Sequence, residues 1–260
     1  MLMVLMSPLW VQALIFVGGA LTVALLARWI VTVAPSGQIF GRAREAANIL
    51  RQPTTTLVAL TLALSGAQVI GEFHRTEADT AREASVLERL YRDARAYGGI
   101  QTGEFCEALA AYAQSVIDKE WDAMRRMEED PATKQLFGQL FTLSHQMSAD
   151  NSREQMWLSD IVTQINLAAD LRRARISSAQ SCMPWIFYVV VICGATVILC
   201  FSALLSTGPG SEAVIVSHAF VIGLALLLVA SLDLPFGGTL GIKPDAFRVM
   251  LDNIRLLSGA

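Results

Sequence analysis

Charge is scarce in this 260-residue chain: 17% of it is Asp, Glu, Lys or Arg, against about 25% in an ordinary soluble domain. The scarcity is also uneven. Residues 1–27, 52–71, 176–211 and 213–232 hold no charged side chain, and most of the 20 basic and 23 acidic residues fall within 72–175. A helix crossing a bilayer needs about 20 mostly apolar residues, since each adds 1.5 Å to a path of about 30 Å. Each neutral window meets that length. Other absences exclude whole classes of function. Cys106, Cys182, Cys193 and Cys200 show no C-x-x-C spacing, which argues against a disulfide framework or a zinc site. A net charge of −3 gives no electrostatic footprint for nucleic acid. No G-x-S-x-G, P-loop or G-x-G-x-x-G occurs, so nothing asks for an enzyme or a cofactor. The first apolar run lacks a basic n-region and far exceeds the 7–15 residues of a signal peptide's core, so it reads as an uncleaved span.

What is present predicts an all-α integral membrane protein with four transmembrane helices and a helical cytoplasmic insert between the second and third. The expected order is a first hairpin over 1–71 (spans 7–27 and 53–71), the insert over 72–175, a second hairpin over 176–232 (spans 184–205 and 213–232) and an amphipathic tail over 233–260. Four spans put the insert and both termini on one side. Basic residues near span ends favour that side as cytoplasmic: Arg75, Arg82, Arg172, Arg173, Arg175, Lys243 and Arg248, against Arg28, Arg42, Arg44 and Arg51 on the other. The expected location is the bacterial inner membrane.

Within the insert, Leu87, Leu90, Tyr91 and Ala94 follow helical spacing up to Gly98 and Gly99. Asp130 and Pro131 predict an N-cap and first-turn proline. Ser152 and Gln155 have capping-box spacing, and the absence of Pro or Gly from Ser152 to Met183 predicts one helix running directly into the third span. By the same logic the second span continues outward past Gly71. The segment 35–52 reads either as a short interfacial helix or as a solvated turn. The tail presents Phe247, Met250, Leu251, Ile254 and Leu257 on one face, which needs cover from the bilayer surface or from the insert.

The second span holds the main candidate site. Thr54, Thr61, Ser65, Gln68, Glu72 and Arg75 share one helical face, so they form a pore-lining set with Glu72 and Arg75 at its mouth. The alternative is that Thr, Ser and Gln hydrogen-bond across helices. His218, inside the fourth span, either relays protons or bonds to a neighbouring helix. His74 lies among Glu72, Glu77 and Asp79 without a defensible metal spacing, so no metal is expected. Asp233 ends the fourth span against the negative end of a helix dipole and needs a partner. Arg172, Arg173 and Arg175 are the expected one, or else lipid-facing anchors.

Several stretches together resemble the bestrophin-like family of bacterial membrane proteins: Glu83-Ala84-Ser85-Val86-Leu87, Leu90-Tyr91-Arg92, Tyr112 onward to Glu120-Trp121, Leu167 onward to Arg172-Arg173, Pro184-Trp185, and Asp233-Leu234-Pro235-Phe236-Gly237-Gly238. Glu120, Trp121, Arg172, Arg173, Asp233, Pro235 and Phe236 are the motif positions. Leu234 stands where the family usually has a basic residue. The resemblance implies four spans with a large insert, and kinship with bestrophins, oligomeric anion channels whose second span lines the pore. The expected function is a homo-oligomeric ion channel in the lipid bilayer, passing inorganic ions. The competing expectation is a non-conducting scaffold that acts through its helical insert.

Overall fold

A computed structural model describes residues 2–33, 38–98, 100–149, 151–206 and 210–258, and no strand occurs among them. Among the described residues, four helices are long and apolar enough to cross a membrane. The chain divides into two compact units. One comprises 1–72, 182–234 and 238–240, the other 73–181, 235–237 and 241–260.

The first unit contains α1 (Leu9–Val33), α7 (Trp185–Leu205) and α8 (Ser211–Leu232), together with the first part of α2 (Gln38–Tyr97). Ala24, Leu199, Ile215 and Ala219 form its small core. Close packing here rests on missing side chains, as is common where lipid supplies no hydrophobic drive between helices. A Cβ on Gly223 of α8 would come within 2.7 Å of the Val17 backbone on α1. Val17 belongs to a π-helical turn, Leu14–Gly18, inside α1, where the widened backbone meets the glycine. Gln12, also on α1, is buried; it donates to the carbonyls of Leu5 and Ser7 and accepts from the Ser231 hydroxyl.

The second unit is built from the rest of α2, α3 (Ile100–Ser115), a π-helical turn Val116–Glu120, α4 (Trp121–Arg125), α5 (Pro131–Gln146), α6 (Ser152–Gln180) and α9 (Asp245–Ser258). Leu87, Leu90, Leu109, Tyr112, Trp121, Leu140, Ile161 and Ile165 form its core. Phe247, Met250, Leu251 and Ile254 of α9 belong to the same core, so that core covers most of the tail's apolar face, whereas Leu257 is exposed. The Asp130 carboxylate accepts from the Thr133 amide and Pro131 opens α5, as expected.

Three expectations need correction. The cap of α6 is Asn151, one residue earlier than Ser152: its side chain accepts from the Glu154 amide and donates back to the Glu154 carboxylate. An asparagine and a serine cap equally well, so spacing alone did not discriminate. The helix does not run on into the third span. It ends at Gln180, and α7 starts at Trp185. Pro184 disfavours helical geometry at the residue before it, and the Met183 amide is engaged by Asp233. Of segment 35–52, residues 38–52 are neither a short interfacial helix nor a turn, because α2 already begins at Gln38 and carries Pro53 inside it; membrane helices tolerate such prolines when neighbours satisfy the freed carbonyl. Residues 34–37 lie outside the described set.

Candidate functional site

On α2, the expected pore face divides in two. Ser65 is buried and Thr54 and Thr61 are half-buried, whereas Gln68, Glu72 and Arg75 are exposed. Thr61 donates to the Leu57 carbonyl and Ser65 to the Thr61 carbonyl, so these hydroxyls are satisfied by their own helix. Arg75 faces Asp79 at 3.8 Å, both partly in solvent, an arrangement worth little by itself. His74 lies 3.7 Å from Glu77, also exposed.

A wide groove lies between α2 and α8 in the first unit. It has a volume of about 620 Å³ and is lined almost wholly by apolar groups, Val58, Leu62, Ala63, Gly66, Ile222 and Val229 among them. His218 also lines it, and among the described residues no helix offers that imidazole a hydrogen bond.

At the C-terminal end of α8, Asp233 accepts from the Met183 amide and from the Tyr188 hydroxyl, each at 2.9 Å. Burial pushes its carboxyl above the ordinary 3.8, and the two hydrogen bonds offset part of that rise. These partners, an amide and a phenol of the first unit, are not the arginines expected to serve it, Arg172, Arg173 and Arg175.

Those arginines have other partners, all in the second unit. Arg175, fully buried, donates from Nε to Glu83 Oε2 at 2.7 Å and from Nη2 to Glu83 Oε1 at 3.1 Å and Glu120 Oε2 at 2.8 Å. Arg172 bonds to Glu120 and, at 2.9 Å, to Glu129, which Lys134 also reaches at 3.0 Å. The Tyr112 hydroxyl donates to Glu83 at 2.9 Å. Three cations therefore meet three carboxylates, and the rings of Trp121 and Phe247 flank the Arg175 guanidinium at 5.8 and 5.4 Å. Burial disfavours the charge on Arg175, but Glu83, Tyr112 and Glu120 more than compensate and keep it protonated. Burial, reinforced by Glu83, lifts the Tyr112 phenol well above its ordinary range, so it stays a donor. Arg173 alone is exposed, paired with Asp170 at 2.9 Å. Of the motif residues, Glu120 pairs with both arginines, Arg172 and Arg175, and Trp121 donates its indole N–H to the Ile242 carbonyl and meets Phe236 edge-on.

The Bestrophin-like domain family matches residues 18–247. The chain belongs to that family. No curated protein matches the sequence. Among solved structures, a single-substitution variant of a bacterial bestrophin homologue from Klebsiella pneumoniae is 11% identical with a TM-score of 0.68, over 98% of this chain and 100% of that one. Another structure of the Klebsiella homologue gives 0.66 at 11% identity, over 95% and 97%, and a variant of a membrane protein gives 0.70 at 11%, over 95% and 98%. At such identities the likeness establishes the shared fold.

Sequence reasoning about this bestrophin-like chain missed Gln12, and named Glu83 within a family-like stretch without foreseeing its buried ion pair. Both looked ordinary: Glu83 lies in a charge-rich helical stretch, and Gln12 is one polar residue in an apolar run. A signal for Glu83 did exist, since it stands one turn before Leu87 on the apolar face of its helix, where a carboxylate needs a buried partner.

Proposed function

We propose that this protein is a homo-oligomeric ion channel of the bacterial inner membrane in which α2 lines the pathway, with Glu72 and Arg75 setting charge selection at the mouth. The observation that carries the reading is the exposure of Gln68, Glu72 and Arg75 on one side of an apolar, membrane-length helix in a chain of the bestrophin-like family. Polar groups kept on such a helix need water, lipid headgroups or a partner. Nothing in the reading calls for catalysis or a cofactor. The insert and both termini face the cytoplasm in this reading. With Arg172 and Arg175 buried among carboxylates, the charge asymmetry rests on Arg75, Arg82, Arg173, Lys243 and Arg248 against Arg28, Arg42, Arg44 and Arg51.

Flux through proteoliposomes and single-channel recording test it. The wild type should conduct, Gln68→Leu should lower conductance, and Glu72→Gln should shift the cation-to-anion permeability ratio by about fivefold toward anions, the effect of about 1 kcal/mol from one charge near water. Folded protein that passes no more ion than empty liposomes would sink the channel reading. The intrahelical bonds of Thr61 and Ser65 favour a second reading for that half of the stripe, helix packing in a non-conducting scaffold. In that case Gln68→Leu would alter assembly and leave no selectivity to change.

A further inference from the structure

Where α1 nears its end and α8 begins, the first unit holds a second cavity, of about 250 Å³, lined by Leu25, Arg28, Trp29, Thr32, Glu212 and Ile215. Arg28 is the first charge after 27 neutral residues, and Glu212 follows a neutral run of 36. From Leu9 to Arg28 a helix advances about 28 Å, close to the thickness of the hydrocarbon core, so the cavity stands at headgroup level. Its two charges are of opposite sign but do not pair with each other, and among the described residues no cation lies within 4 Å of Glu212.

Arg28 is held in place by the protein. Nη1 donates to the Ser206 carbonyl at 3.0 Å and Nη2 to the Ser211 hydroxyl at 3.2 Å. A guanidinium has five N–H donors, so each terminal amino group keeps a further donor, while Nε is enclosed without a partner among the described residues. The fork is oriented and only partly used, the condition in which arginine binds phosphate oxygens. Glu212 sits in the first turn of α8, exposed and able to accept from a cation. The exposed Trp29 ring beside it adds a face that attracts ammonium groups.

We infer that this cavity binds a zwitterion carrying a phosphate and a primary ammonium two carbons apart, with the phosphate on Arg28 and the ammonium between Glu212 and Trp29. The phosphoethanolamine headgroup of a membrane lipid has that chemistry, and free phosphoethanolamine shares it. The site is independent of whether the protein conducts ions.

The test uses the full chain in nanodiscs of equal parts phosphatidylethanolamine, phosphatidylglycerol and phosphatidylcholine, with retained lipid read by native mass spectrometry. Phosphatidylethanolamine should be held over both others by about fivefold, the ratio one ion pair near water supplies. Phosphatidylglycerol lacks the ammonium, and phosphatidylcholine has no N–H to donate to Glu212. Glu212→Gln should bring the ethanolamine-to-glycerol ratio to about one. Millimolar free phosphoethanolamine distinguishes the sources: displacement of the lipid means the headgroup suffices, and no displacement means the anchored lipid is the ligand. Equal retention of the three lipids by the wild type overturns the proposal without any variant, and so does a preference undiminished in folded Glu212→Gln.

Discussion

Arg172 and Arg175, three positions apart on α6, face three carboxylates on other segments of the second unit, Glu83 on α2, Glu120 in the π-helical turn and Glu129 just before α5. A buried ion pair adds little net stability over an apolar pair, because desolvation offsets the attraction, but removing one member leaves an uncompensated charge. Arg175→Met should therefore cost about 3–5 kcal/mol in unfolding followed by circular dichroism, whereas Arg173→Met, at the exposed pair with Asp170, should change stability by about 0.5 kcal/mol or less. Two carboxyls shift in opposite directions and give opposite pH dependence. For Glu129, burial pushes upward, but hydrogen bonds from Lys134 and Arg172 outweigh it and hold the carboxyl below its ordinary 4.5. Its contribution is present above that value and is lost as pH falls through the folded-state value. Asp233, raised by burial, binds more protons folded than unfolded, so stability declines as pH rises from 3.8 toward its folded-state value. Unfolding measured across acidic pH should show that decline abolished in Asp233→Asn, which still accepts from the Met183 amide, and the acid-side loss reduced in Glu129→Gln.

Among the elements, α1 and α8 come into close backbone contact where Gly223 meets the π-helical turn. An added Cβ there collides with backbone, Val17 Cα at 2.7 Å and the Phe16 carbonyl at 3.1 Å, and backbone cannot rotate away. Gly194 on α7 is also crowded, but by the Val58 methyl at 2.5 Å, the end of a side chain that can turn. Gly223→Ala should accordingly cost about 1–3 kcal/mol and Gly194→Ala less, read as thermal stability in detergent. The same contrast between local and long-range causes explains the helix ends. The stop at Gly98, with φ +74°, follows from a residue that tolerates left-handed geometry. The stop at Gln180 combines a local cause, Pro184, with a long-range one, the capture of the Met183 amide by a carboxylate fifty residues away in sequence.

At the scale of the whole molecule, membership of the bestrophin-like family and the shared fold place this chain among membrane proteins, while the proposed conduction requires assembly. Four spans per chain leave little room for a central pore. Mass measurement of the detergent-solubilised protein should therefore find a ring of several copies, and a monomer would rule out the proposed pathway along α2.

The spans were legible in the sequence because the cost of placing charge in hydrocarbon empties each window of charge, a property visible residue by residue. Helical periodicity likewise exposed the core faces of the outer part of α2, with Leu87, Leu90, Tyr91 and Ala94, and of α9, and the Asp130 cap was visible from local spacing. Partnership was not visible. Arg172 and Arg175 look like membrane anchors, Asp233 looks like their counter-ion, and only the tertiary structure decides that the arginines meet Glu83, Glu120 and Glu129 while Asp233 turns to an amide and a phenol. An ion pair depends on which side chains distant segments bring within a few ångströms, and a charge written in a sequence carries no record of that distance.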